Sequence, residues 1–253
     1  MAQLSRFAEP ITDAWGNITY MLTERALFFV VAAIFLLLLL SSLIPARNGR
    51  SRVIQLSFTS ITIAAAFIAS RIHLIHMPMG GSVTLFGMLI LSLIGYWYGT
   101  VQGILVATAY SMLELLLYPY ILNIPQVLLD YVMAFGALGL SGLFSDDPDR
   151  GLLKGFLTAV SARYVCAVLS GVLFFADYAL EQGYSSPLVY SLVYNGTYLG
   201  GEALLTIALL SIPRVRKALD SLRSLALAKT VLVIRRDASG VPRIYITEED
   251  FGG

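Results

Sequence analysis

Apolar residues along this chain gather into seven long runs, and the polar or turn-forming stretches between them hold most of the charge. The first run, Ala26 to Ile44, is almost uninterrupted Phe, Val, Ala and Leu. At 1.5 Å per helical residue it reaches across about 30 Å of hydrocarbon. It exceeds the apolar core of a signal peptide, and Pro45 with Arg47, Arg50 and Arg52 reads as a stop-transfer flank, so it is expected to be a retained helix. The second run spans Val53 to Ile75 and the third ends near Ile94. The fourth begins at the interfacial belt Tyr96-Trp-Tyr-Gly99 and ends around Glu114. The fifth starts near Pro125, which suits a first helical turn, and stops at Phe144. Leu152 to Phe175 and Leu188 to Ile212 complete the set. Past Pro213 a basic amphipathic helix is expected, and residues 230 to 247 alternate around Asp237-Ala-Ser-Gly240 as in a β-hairpin.

Composition agrees with an integral membrane protein: 57% of the 253 residues are hydrophobic, only 13% are charged, and the mean hydropathy is +0.77. The net charge of +1 conceals an asymmetry. Arg47, Arg50, Arg52, Arg150, Lys154, Arg214, Arg216 and Lys217 flank one set of helix ends, whereas the opposite loops, residues 76 to 82, 118 to 125 and 176 to 187, hold no Lys or Arg. Arg25 and Arg71 are outnumbered exceptions. The positive-inside rule then predicts an outer N-terminus and a cytoplasmic C-terminus in a multi-pass cell-membrane protein, which the family resemblance below places in a prokaryotic plasma membrane. Nucleic acid is not an expected partner. A single cysteine, Cys166, excludes an intramolecular disulfide and is expected to pack in the interior. No Walker, HExxH, GxSxG or paired-Cys motif is present, so the chain is not expected to be an enzyme or to need a cofactor. His73 and His76 offer two metal ligands, fewer than a zinc site needs.

Small residues and buried acids locate the candidate chemistry. Gly99, Gly103, Ala107 and Ser111 recur every four residues and should pack against a neighbouring helix; Ser60, Ala64, Ala66 and Ser70 form a similar patch on span two. Asp130 lies about one and a half turns inside span five, one turn beyond Gln126 and beside Tyr131. An ionisable group inside a span costs a few kcal/mol unless it is paired or faces a polar cavity, which makes Asp130 a candidate site residue. Tyr190, Tyr194, Tyr198 and Glu202 form a polar aromatic stripe on span seven that should face protein or a cavity. Arg163, near the middle of span six, is expected to pair with an acid, with Glu202 one candidate, and Glu114 reads as an Arg-paired boundary residue or a ligand. Aromatic faces near a carboxylate would suit a flat, cationic organic ligand.

Three motifs then carry a family resemblance: Met79-Gly-Gly-Ser-Val-Thr-Leu-Phe-Gly-Met88, Tyr120-Ile-Leu-Asn-Ile-Pro-Gln-Val-Leu-Leu-Asp-Tyr131 with Ala134-Phe-Gly-Ala-Leu-Gly-Leu140, and Tyr190-Ser-Leu-Val-Tyr-Asn-Gly-Thr197. Residues 53 to 212 resemble the thiamin-binding S-component family (ThiT, also YuaJ) of energy-coupling factor transporters. The resemblance implies an all-α membrane protein: a six-helix bundle over residues 53–213, preceded by residues 1–52 with one extra transmembrane helix and followed by a cytoplasmic tail, 214–253. It also implies capture of thiamin or a close relative from outside, for import driven by an EcfT-type transmembrane subunit and two ATPases. Tyr120, Asp130, Tyr131, Tyr190 and Asn195 match ligand-contacting positions of the family motif; Gln126 and Phe175 complete the candidate site. Ser60, Ala64, Ala66 and Ser70 lie on the helix that in this family docks onto EcfT. Phe175 stands where the family has a stacking Trp, Ala167 where it has a His, and Ser-Val-Thr-Leu-Phe follows Gly81 where some members carry an aromatic and an acid. A second reading from another class is a stand-alone secondary transporter of a small cationic or aromatic solute, relaying protons through Asp130, Glu114 and Glu202.

Overall fold

A computed structural model describes residues 7–12, 18–44, 52–77, 81–147, 150–228, 230–236 and 242–248. Helices dominate, as the apolar periodicity requires. Strands β1 (Ala8–Thr12) and β2 (Ile18–Leu22) pair antiparallel ahead of helix α1 (Glu24–Leu43). Thr23 caps α1 by accepting from the Ala26 amide, and the helix carries an acid, Glu24, in its positive first turn. Helix α2 (Arg52–Arg71) is followed by a second hairpin, β3 (His73–His76) and β4 (Ser82–Thr84), then by α3 (Gly87–Tyr98) and α4 (Thr100–Leu117). Helix α5 (Ile124–Phe144), α6 (Gly151–Phe174), the short α7 (Ala176–Glu181), α8 (Pro187–Leu210) and α9 (Pro213–Ala226) complete the bundle. The predicted tail hairpin is present as β5 (Thr230–Arg236) paired with β6 (Pro242–Glu248).

Helices α1, α2, α4, α5 and α6 are each long and apolar enough to cross a membrane, and α8 with α9, bent by 90°, forms a sixth candidate. Span three differs from expectation. Helix α3 has 12 residues, about 18 Å, because the hairpin claims the chain before Gly87 and Gly99, at φ +97°, breaks the helix after Tyr98. Span two stops at Arg71 rather than Ile75 because His73 to His76 pairs with Ser82 to Thr84. Cys166 is half-buried rather than interior.

Small residues set the closest helix approaches, as their spacing predicts. A methyl on Gly103 would meet Gly95 Cα at 2.6 Å and Gly139 Cα at 2.7 Å, so α3, α4 and α5 touch backbone to backbone there. Ala107 and Ser111 continue the buried stripe, and Ser141 donates to the Ser92 carbonyl across it. Gly99 belongs to the helix break rather than to the packing face. On span two the small patch divides. Ser60 and Ala64 are exposed, whereas Ala66 is fully buried and Ser70 hydrogen-bonds inward to Glu114 and Tyr110. Of the four small residues only Ser60 and Ala64 are thus free to meet another protein, because four-residue steps fall on one face but a two-residue offset rotates Ala66 and Ser70 toward the bundle.

Candidate binding site

The ends of the helices bearing Arg71, Tyr118, Phe175 and Tyr190 converge around one cavity of about 590 Å³. That is room enough for a small aromatic ligand. Its polar centre comes from the start of α5. Asn123 caps this helix by accepting from the Gln126 amide at 2.8 Å, and Pro125 occupies the first turn. Residues Leu128–Met133 then wind as a π-helix, a widened turn that presents Asp130 and Tyr131 to the cavity and the lid loop. Asp130 Oδ2 accepts from Gln126 Nε2 at 2.7 Å. The buried Ser170 hydroxyl lies beside this carboxylate without a hydrogen bond of good geometry, leaving a polar group that a ligand can satisfy.

Gln126 and Tyr131 serve the loop between α4 and α5 more directly than they serve the cavity. The Gln126 amide oxygen accepts from Leu122 N at 3.1 Å, and its nitrogen also donates to the Tyr120 carbonyl at 3.3 Å. Tyr131 Oη accepts from Tyr120 N at 3.0 Å and donates to the Tyr118 carbonyl at 3.4 Å. The loop is thus tied at four backbone groups, and it holds Tyr120 stacked on Phe175, with ring centroids 6.1 Å apart and planes 14° from parallel. Burial raises the Tyr120 phenol above its ordinary pKa, with Tyr178 and Asp130 adding to the shift, so it remains a neutral donor at physiological pH.

Helix α8 supplies the facing wall. Tyr190 stacks on Tyr194 at 5.6 Å and receives the edges of Tyr178 and Tyr184. Asn195 is 6% exposed and its amide nitrogen donates to Ser191 Oγ, to the Ser191 carbonyl and to the Ala167 carbonyl, while its oxygen accepts from Tyr198 Oη at 3.0 Å. Asn195 therefore locks α8 to α6 at the cavity wall, at the position where Ala167 leaves space. Tyr194 Oη accepts from the Gly81 amide at 3.0 Å, and a Cβ at Gly81 would stand 2.4 Å from that oxygen. Only glycine lets the β3–β4 hairpin lie this close. Gly81→Ala is expected to push the hairpin off Tyr194 and weaken ligand binding by about 1–3 kcal/mol, the usual cost of breaking a buried hydrogen bond, measurable by titration calorimetry.

The other two acids that line the cavity, Glu114 and Glu202, are occupied. Glu114 bonds Ser70 and Tyr110 and forms an ion pair with Arg71, whose guanidinium also sits 4.1 Å from the Tyr118 ring centroid. This bears out its reading as an Arg-paired residue. Glu202 is not the partner of Arg163. It accepts from Thr84 N, Thr84 Oγ1 and Met88 N, capping α3, whose own N-cap residue Phe86, at φ +62°, supplies no side-chain cap. Arg163 instead lies over the Phe135 ring at 3.9 Å, within electrostatic reach of Asp130. His73, at the hairpin, has its pKa lowered by burial and by the nearby His76 and Arg71. All seven residues expected in the site line this cavity. Tyr194, Tyr198, Arg71 and Ser170 line it as well. The first two were visible in the α8 stripe; nothing local distinguishes the others.

Residues 56–220 match the family model described as thiamine transporter protein. The chain belongs to this thiamine transporter family. It is a multi-pass membrane component of thiamin transport rather than an enzyme, as the motifs implied. Similar proteins agree. The thiamine transporter ThiT of Bacillus subtilis is 30% identical over 168 residues, covering 60% of this chain and 85% of that protein. The structure of ThiT from Listeria monocytogenes superposes with a TM-score of 0.57 at 25% identity, covering 69% of this chain and 98% of the other. The family match starts after α1 and ends within α9, so β1, β2, α1 and the tail hairpin lie outside it.

Proposed function

We propose that thiamin occupies the cavity between α5 and α8, with its ring edge against Asp130 and its flat rings among Tyr120, Phe175 and Tyr190. The observation that carries this reading is the meeting of a carboxylate, Asp130, and the buried Ser170 hydroxyl beside it with stacked aromatic faces in one cavity. A carboxylate accepts from an exocyclic amine, and a ring face attracts a permanent thiazolium charge at any pH. Gln126, Tyr131 and Asn195 contribute by holding Asp130, the Tyr120 loop and the α6–α8 wall in place. The occupied state of Glu114 and Glu202 argues against a proton relay and hence against the stand-alone secondary transporter.

The charge asymmetry supports a cavity opening to the outside, with the N-terminus outer and the C-terminus cytoplasmic. An EcfT-type subunit with two ATPases is the energising partner in this reading, and the exposed small residues Ser60 and Ala64 are its docking face on α2. Mass spectrometry of ligand released from purified protein is the direct test; absence of thiamin and of any related pyrimidine, with no binding on titration into the high micromolar range, would overturn the assignment. Phe175→Trp, which restores the larger ring, is expected to tighten thiamin binding by about 0.5–1.5 kcal/mol, the range of an added aromatic contact. Equilibrium titration of the variant against the parent checks this.

A further inference from the structure

The segment outside the family match is built into the rear of the binding site. Helix α1 lies along α4, and Ala26, Val30, Ile34 and Leu37 belong to one apolar cluster with Met112 and Leu115 of α4. The same cluster includes Ala8 and Leu22 of the β1–β2 hairpin on one side and Ile121, Val127 and Tyr131 on the other. Ala8 is 1% and Leu22 8% exposed, so the hairpin is packed down rather than draped over the surface. It is anchored at its exit as well, since the Thr23 amide and hydroxyl both donate to the Phe7 carbonyl. Tyr131 thus has two faces of consequence. Its ring belongs to the cluster that the extension completes, and its hydroxyl holds the backbone of Tyr118 and Tyr120.

We propose that the N-terminal extension is a positioning element of the thiamin site: the β1–β2 hairpin and the start of α1 brace Tyr131, and through its hydroxyl they hold the Tyr120 loop closed over bound ligand. The proposal rests on the reading that the 118–123 loop covers the cavity. The physical ground is close packing. A phenol can hold two backbone groups in a fixed geometry only if its ring has one rotamer, and the apolar cluster supplies that constraint.

The test uses the full-length protein in lipid nanodiscs, with the dissociation of labelled thiamin followed in a chase. Leu22→Ala is expected to speed dissociation by roughly 3- to 10-fold with the association rate nearly unchanged, since loosening a closed loop acts on release. Tyr131→Phe is expected to do the same, and the double variant to be no faster than Tyr131→Phe alone, because both act through one connection. Amide exchange at Tyr120 should quicken in both single variants. Leu22→Met, which conserves volume, should restore the parent rate. Leu37→Ala, about 20 Å along α1 from its start, should lower the melting temperature and leave release unchanged. A parental release rate in Leu22→Ala with a faster one in Tyr131→Phe overturns the brace and leaves the loop reading standing. A parental rate in Tyr131→Phe overturns both, and equal acceleration by Leu37→Ala overturns the brace in favour of general loosening. Should Leu22→Ala not be recovered folded, Leu22→Val is read in the same way.

Discussion

Asp130→Asn is expected to weaken thiamin binding roughly 5- to 150-fold, about 1–3 kcal/mol, with little change in the melting temperature. The asymmetry between the two effects follows from geometry. Asp130 accepts a side-chain hydrogen bond from Gln126 Nε2, and an asparagine oxygen can still accept it. What the amide cannot supply is a full negative charge, or a second acceptor at the position facing the ligand. Charge-assisted hydrogen bonds are about twice as strong as neutral ones, so the loss falls on binding. Titration calorimetry and thermal unfolding on the same preparation separate the two. A melting temperature lowered by many degrees with unaltered affinity would mark Asp130 as a structural partner of Gln126 and remove it from the site.

The second large effect concerns the frame that holds the site. Gly139→Ala is expected to destabilise the bundle by about 3 kcal/mol, the upper part of the usual range for overpacking, because nothing at the contact can swing aside. The new methyl would stand 2.1 Å from Ile104 N and 2.4 Å from Gly103 C, both backbone atoms of α4. The helices must separate, and α5 carries Asp130 and Tyr131 with it. Gly200→Ala on α8 is the control, since no atom lies within 4 Å of its added methyl and alanine is the better helix former. Unfolding of the two variants in detergent, followed by size exclusion after heating, should place Gly139→Ala well below the parent and Gly200→Ala at or above it. Equal melting of the two would show that the α4–α5 contact is looser than its geometry implies.

Much of the site was readable from residue type and spacing. Asp130 stood out because a carboxylate in an apolar run needs a partner, and the tyrosines of α8 stood out because their four-residue spacing places them on one face. The small patch on α2 is half legible: a count of small residues cannot tell that Ala66 turns inward while Ala64 stays exposed. Family motifs point Tyr131 and Asn195 to the ligand, and one-turn spacing from Asp130 points Gln126 there too. The folded chain shows each of them hydrogen-bonded to protein groups that hold the site's shape. Arg163 and Glu202 looked like natural partners, yet one rests on Phe135 and the other caps α3.

By itself the sequence determined what depends on neighbours along the chain. These are the apolar runs that must be helices in lipid, the start of α5 near Pro125, and the tail hairpin. The governing interactions there span a few residues, or depend only on composition. Tertiary structure alone decided which polar groups are already satisfied. Glu202 finds Thr84 and Met88 across 118 and 114 residues of chain, Glu114 finds Ser70 and Arg71 across 44 and 43, and the β1–β2 hairpin reaches the cluster of Tyr131 through α1. A buried acid looks the same in sequence whether its partner is a ligand or a distant backbone amide. Only the folded arrangement, which shows what each acid is bonded to, separates Asp130 from the two glutamates.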